Sequence, residues 1–262
     1  MKKSKSIENK IKSLSLILAI LVFWQLASKL ELLPKYMLPS PIDVVKALIS
    51  DFPTLMVHAR TSLLEAFCGL FIGVALGFLS AILMDRFDYF ERSFYPILVI
   101  TQTIPTVAIA PLLVLWMGYG IAPKITLIVI VTFFPIAIGL FEGFRSADKD
   151  RINLLKAMGA SQGEIFKFVK LPSSLNQFFA ALKISASYSI VGAVIAEWLG
   201  GYEGLGVYMM RVKKSFSYDK MFAVIFLISA LSLALMSGVT LLKKLVMPWE
   251  NAKREVKNNL PM

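Results

Sequence analysis

The chain has 262 residues, 57% of them hydrophobic and 17% charged, with a mean hydropathy of +0.70 and a formal net charge of +11. A soluble domain carries about 25% charged residues, whereas here the charges cluster between long apolar runs; Ser93 to Pro123 holds no Asp, Glu, Lys, Arg or His. Since roughly 20 apolar residues cross the ~30 Å hydrocarbon core, the pattern excludes an ordinary soluble enzyme and points to an integral membrane protein.

Six runs qualify as spanning helices: Leu14–Leu30, Thr61–Met84, Phe94–Met117, Ile125–Phe141, Phe178–Leu199 and Met221–Leu242. The expected fold is therefore all-α, with about six transmembrane helices. The basic stretch Lys2 to Lys12 ahead of Leu14 has the outline of a secretory signal. The apolar run is long, however, and no small-x-small cleavage site follows it, so an uncleaved first helix is expected. Residues 1–13 form an N-terminal segment, 14–58 the first span and an outer loop, and 59–245 a core of five spans with a polar loop at 146–175. Residues 246–262 form a tail.

Basic residues give the orientation. Segments 1–13, 84–93, 142–176 and the tail after 242 carry 5, 2, 6 and 5 Lys and Arg, or 18, against 9 on the opposite side. The positive-inside rule then puts both termini in the cytoplasm. Because the basic residues flank apolar runs instead of forming one face, they fit lipid headgroups and not nucleic acid. Cys68 and His58 are each the sole residue of their type, which leaves no disulfide framework and no material for a metal site. No cofactor is expected. No Gly-x-x-x-x-Gly-Lys-Ser/Thr loop occurs, so any ATP hydrolysis belongs to another polypeptide.

Three features bear on mechanism. In the loop Arg151–Pro172, Asn153–Met158 reads as a helix stopped by Gly159, which readily adopts the left-handed conformation. Ser161 and Glu164 have the spacing of a capping box, so a second short helix is expected, ending before Pro172. It presents Ile165, Phe166, Phe168 and Val169, and an apolar face in the cytoplasm needs a protein partner; an interfacial helix lying on the bilayer is the alternative. Secondly, Gly69, Gly73, Gly77 and Ala81 form an i, i+4 ridge suited to close helix packing. Thirdly, Pro105 and Pro111 are expected to break the third span's hydrogen-bond ladder. Beside them, Gln102, Thr103 and Thr106 suggest a wall of a polar path, with Ser185 and Ser189 on the fifth span. Glu65 and Glu197 lie near the outer helix ends; they face either a path or a structural partner.

The same loop resembles the cytoplasmic motif of binding-protein-dependent importer permeases. From Gly159, nine residues lead to Val169, then Lys170 and Leu171-Pro172, at the family's spacing, while Asn153-Leu154-Leu155 replaces its Glu-Ala-Ala. The resemblance extends over residues 38–249, through Leu38-Pro39-Ser40-Pro41, Gln102-Thr103-Ile104-Pro105, Trp116-Met117-Gly118-Tyr119-Gly120, Ala196-Glu197-Trp198-Leu199-Gly200 and Gly204-Leu205-Gly206. These look like the nitrate/sulfonate/taurine branch. The resemblance implies a type I importer permease fold, in which the loop is a coupling helix docked on an ATPase. Its carriers would be Ala157, Gly159, Ala160, Ser161, Glu164, Phe166, Phe168, Leu171 and Pro172. It also implies an ATP-binding-cassette ATPase, an extracytoplasmic solute-binding protein and a second permease copy, as a homodimer, as partners.

Branch members import nitrate, sulfonates, taurine or heteroaromatic vitamin precursors. The stretch from Gly201 to Gly206, and Glu65 where relatives often have Arg, look more like the thiamine pyrimidine-precursor group. An ion-coupled secondary transporter is the alternative from another class, but it calls for a mid-membrane acid–base relay and internal repeats, neither of which is apparent. A membrane enzyme lacks a nucleophile–base pair or metal ligands.

Overall fold

The computed structural model describes residues 2–32, 34 and 37–249. Lys35 and the end of the tail, including Asn258, lie outside the described residues. Among the described residues the chain is helical and without strands: α1 (Lys2–Lys29), α2 (Pro41–Ser50), α3 (Phe52–Arg86), α4 (Asp88–Thr101), α5 (Thr106–Met117), α6 (Ile121–Arg145), α7 (Lys149–Ala157), α8 (Gln162–Ile165), α9 (Leu171–Glu197), α10 (Leu205–Lys214) and α11 (Tyr218–Val246).

Among the described residues, four continuous helices are long and apolar enough to span a membrane: Phe52–Arg86, Ile121–Arg145, Gln162–Glu197 and Tyr218–Val246. The third expected span is instead two helices, α4 and α5, meeting at 101°. The break falls at Gln102–Pro105 only. α5 runs on through Pro111, which sits inside the helix and does not end it. The first expected span is a shorter apolar stretch, Leu14–Lys29, of α1.

α6 is the centre of the bundle, packed against α3 on one side and α9 on the other. The α3–α6 seam is set by the small-residue ridge. Gly69, Gly73, Gly77 and Ala81 are all buried and meet Ile128, Thr132 and Ile136, which recur on α6 at the same spacing. A Cβ at Gly77 would lie 2.8 Å from Ile136 Cγ2, and one at Gly69 or Gly73 would overlap Ile128 or Thr132. Glycine is required there because the backbones are that close.

Two apolar cores mark the ends of the bundle. One joins Met84, Leu98, Leu140, Phe141, Phe144, Phe179 and Met247 at the end carrying α7 and α8. The other joins Leu55, Ala59, Val194, Leu205, Tyr208 and Val224 at the remote end. There, α2 starts at a Ser40–Asp43 capping box with Pro41 in its first turn. The chain before it is pinned back on α1, where Trp24 Nε1 donates to Pro39 O and Ser28 Oγ to Leu38 O, both at 3.0 Å.

The short helix does not end before Pro172. Residues Phe166–Lys170 form a π-helical turn in which Leu171 N–H donates to Phe166 O, and the helix continues without interruption from Gln162 to Glu197. Proline clashes with the carbonyl four residues back in an α-turn. The wider turn lets Pro172 enter at the first turn of α9, so the loop is rigidly continuous with the fifth span.

Candidate functional site

The loop between α6 and α9 builds its geometry from local chemistry. Asp148 caps α7, accepting from Asp150 N–H at 2.9 Å and Arg151 N–H at 3.5 Å. The chain turns at Gly159, φ +82°. Gly159 N–H donates to Lys156 O at 3.0 Å and Ala160 N–H to Leu155 O at 2.9 Å, the paired bonds of a Schellman stop. Ser161 N–H and Oγ then both donate to Glu164 Oε2 at 2.7 Å, and Glu164 N–H donates back to Ser161 Oγ at 3.3 Å, completing the capping box.

This folding divides the apolar residues of the short helix. Ile165 and Val169 are buried in the bundle, and Phe166 packs edge-on against Phe144 with ring centroids 5.1 Å apart. Only Phe168, 63% exposed, points outward; Leu154 of α7 and Met158, at its C-cap, are exposed as well. A helix lying against the end of α6 turns one stripe to its own core, which leaves Phe168, with Leu154 and Met158, as the exposed large apolar side chains of the loop. Ala157, Ser161, Glu164 and Pro172 are exposed around it, and Ala160 and Leu171 are half-buried. Lys170 Nζ lies 2.7 Å from Asp85 Oδ1 and 2.9 Å from Oδ2, tying the π turn to the end of α3.

A second feature is a cavity of about 330 Å³ where the α4–α5 break meets α6 and α9. Gln102, Pro105 and Thr106 line it, together with Tyr188, Val191 and Gly192 of α9. Thr103 is exposed beside it, its Oγ1 donating to Ile100 O at 2.8 Å. Ser185 and Ser189 do not reach it. Both are fully buried, Ser185 Oγ donating to Thr132 O at 3.0 Å and Ser189 Oγ to Ala186 O at 2.9 Å. Small hydroxyl residues let helices approach and find carbonyl partners there, so they mark the packed face of α9. The stripe from Tyr188 to Ile195 marks the open one.

Glu65 and Glu197 are also buried, at 2% and 1% exposure, in a polar hub at the remote end. Glu197 Oε1 accepts from Ser62 Oγ at 2.6 Å and Oε2 from Gly206 N–H at 2.6 Å. Leu205 N–H donates to Ser62 Oγ at 2.8 Å and Gly204 N–H to His58 Nδ1 at 3.0 Å. The chain between α9 and α10 is thereby held on α3. Glu65 Oε1 accepts from Lys124 Nζ at 2.8 Å. The fourth span is expected to begin at Ile125, which leaves Lys124 in the loop before it, but α6 begins at Ile121 and the lysine is 6% exposed. Its partner is 59 residues away, so no local pattern reveals the pairing. Neither carboxylate lines the central cavity, and removing one partner of a buried ion pair costs about 3–5 kcal/mol.

Next to the hub, Asp51 accepts from the Tyr208 hydroxyl and pairs with Lys220 at 2.9 Å. Burial pushes the Asp51 carboxyl up, but these two partners outweigh it and hold the group below the ordinary aspartate value. Burial, and then the Asp51 carboxylate, push the Tyr208 phenol up.

Known proteins resemble this chain in sequence and in fold. The chain is 35% identical over 233 residues to the formylaminopyrimidine transport permease protein ThiX of Halalkalibacterium halodurans, covering 88% of this chain and 93% of that one. It is 28% identical to the taurine transport system permease protein TauC of Escherichia coli, covering 90% and 89%. Among solved structures, an amino acid ABC transporter crystallised with histidines superposes with a TM-score of 0.60 at 15% identity, over 76% of this chain and 95% of that one, which shows the type I permease fold. Residues 73–247 match the family described as binding-protein-dependent transport system inner membrane component. The chain belongs to that family and is the membrane-spanning permease component of an ABC importer.

Proposed function

We propose that this permease imports a small neutral heteroaromatic solute of the aminopyrimidine class by alternating access, driven by ATP hydrolysed on separate subunits. The observation that carries the reading is the cavity at the α4–α5 break. Its polar groups are the amide of Gln102 and the hydroxyls of Thr101, Thr106 and Tyr188, and no cation lines it. A buried anion requires compensating charge or dense donors, whereas amide and hydroxyl groups suit a neutral, hydrogen-bonding ring. The 35% identity to a permease named for formylaminopyrimidine supports the same choice.

In this reading the face formed by Leu154, Met158 and Phe168 docks on the ATPase, and the unbroken helix from Gln162 to Glu197 carries its motion to the cavity wall. The coupling loop and both termini are cytoplasmic, and the remote end receives the solute-binding protein. A second copy of the chain completes the path by covering the open side of the cavity. The solute class is tested by reconstituting the permease with its ATPase and binding protein and measuring ATP-dependent uptake of labelled formylaminopyrimidine, taurine and nitrate. Uptake of the pyrimidine is the expected result. Uptake of the anions alone contradicts the solute class.

A further inference from the structure

We propose that a separate cavity at the end of the bundle remote from α7 is a solute-admission site, in which Lys124 and Glu203 select a flat ring bearing both a hydrogen-bond acceptor and N–H donors. The proposal rests on the importer reading above and sharpens its solute class. The cavity has a volume of about 630 Å³ and is lined by Thr61, Tyr119, Lys124, Gly201, Tyr202 and Glu203.

Lys124 is the first part of the argument. It is buried, yet its ammonium has one acceptor among the described residues, Glu65 Oε1 at 2.8 Å. An ammonium has three donors, so two remain for whatever enters. Gly201 gives them access: a Cβ there would lie 2.9 Å from Lys124 Nζ, and the residue adopts φ +152°. The backbone comes down onto the ammonium without a side chain to cover it.

The second part is the opposite wall. Glu203 Oε2 accepts from Thr61 Oγ1 at 3.2 Å, and its other oxygen has no donor among the described residues. Tyr119 and Tyr202 are 81% and 95% exposed. Tyr119 lies on the bare backbone of Gly200, where a Cβ would be 2.6 Å from its ring. Exposed aromatic planes beside one donor and one acceptor fit a planar heterocycle, which stacks through its face and bonds through its edge. A sulfonate would satisfy Lys124 but meet repulsion from Glu203 and from the hub carboxylates behind it.

The site also lies close to the central cavity. A constriction of about 10 Å³ shares Tyr119 and Lys124 with this cavity and Leu127 with the central one. A ring held at Lys124 is therefore within one turn of α6 of Leu127, which lines the cavity at Gln102.

The test uses thiol protection in the purified permease–ATPase complex without binding protein. In a Cys68→Ala background, the alkylation rate of Thr61→Cys is measured with formylaminopyrimidine or taurine. Single-site occupancy at ten times Kd slows the reaction by about tenfold, which is the result expected for the pyrimidine. The slowing is weakened by Glu203→Gln, an exposed position that spares the fold, and is lost in Lys124→Gln. Three results overturn the proposal: no slowing with the pyrimidine, slowing with taurine alone, or unchanged slowing in both variants. ATP-dependent pyrimidine uptake by proteoliposomes holding the permease, its ATPase and its binding protein, without protection in the purified complex, refutes this site and leaves the importer reading standing. Absence of both refutes the solute class as well.

Discussion

Lys170 reaches back across the end of the bundle to Asp85, its ammonium 2.7 Å from Oδ1, and so joins the π turn ahead of α9 to the last turn of α3. The pair is partly shielded, at 23% and 14% side-chain exposure. Its loss is expected to cost about 1–2 kcal/mol, between the values for surface and buried pairs. Asp85→Asn should lower the unfolding temperature modestly and reduce transport more than it reduces ATPase binding. The charge swap Asp85→Lys with Lys170→Asp should recover part of the transport. Full activity in Asp85→Asn would remove the pair from the coupling path.

The docking face is predicted to be Leu154, Met158 and Phe168. Met158→Asp with Phe168→Asp places charge on two outward side chains, 73% and 63% exposed, so the fold should persist while the ATPase no longer co-purifies. A buried charge without a partner costs several kcal/mol at such an interface. Phe166→Asp is expected to behave differently, lowering stability itself, because that ring packs on Phe144. ATPase retention in the double variant would contradict the assignment.

The α3–α6 seam predicts a graded packing series. Gly69→Val and Gly73→Val should each destabilise by about 1–3 kcal/mol through overpacking, read as lower unfolding temperature in detergent. Gly238→Ala, with nothing within 4 Å of its Cβ position, should be neutral or slightly stabilising. Equal effects at the three sites would show that the ridge does not set the seam.

Acid should loosen the remote end. The Asp51 carboxyl is held below its ordinary value in the fold, chiefly by Tyr208 and Lys220 acting against burial. Its contribution is therefore present above the unfolded aspartate value of about 3.9 and is lost as pH falls through the lower folded value. Unfolding temperature measured from neutral pH downward should drop less steeply in Asp51→Asn than in the parent, and the two curves should converge at low pH. Parallel curves over the whole range would exclude the clasp as the titrating group.

Much of this architecture was legible because it rests on local rules. The apolar runs, the glycine ridge, the stop at Gly159 and the Ser161–Glu164 cap depend on residues within one or two turns of each other. The pairing of Glu65 with Lys124 depends on residues 59 apart on different helices, and a helix starting four residues early moved the lysine from loop to core. The π turn was hidden for a related reason: Pro172 signals a break only if the preceding turn is α-helical. Ser185 and Ser189 misled because a hydroxyl in a membrane helix serves packing as readily as a path.

Orientation is predicted from the asymmetry of basic residues. In a Cys68→Ala background, Ser161→Cys should resist a membrane-impermeant thiol reagent in intact cells, and Tyr202→Cys should react. Labelling of Ser161→Cys from outside would reverse the topology.

The central claim is that this chain transports only when an ATPase acts through its coupling loop. Its most direct test is solute uptake into proteoliposomes holding the permease, its ATPase and its binding protein, with ATP supplied on the coupling-loop side and ion gradients collapsed by ionophores. The account predicts uptake that requires ATP and the ATPase, persists without any ion gradient and fails in Met158→Asp with Phe168→Asp. Uptake by the permease alone, driven by an imposed ion gradient and indifferent to ATP, would contradict it.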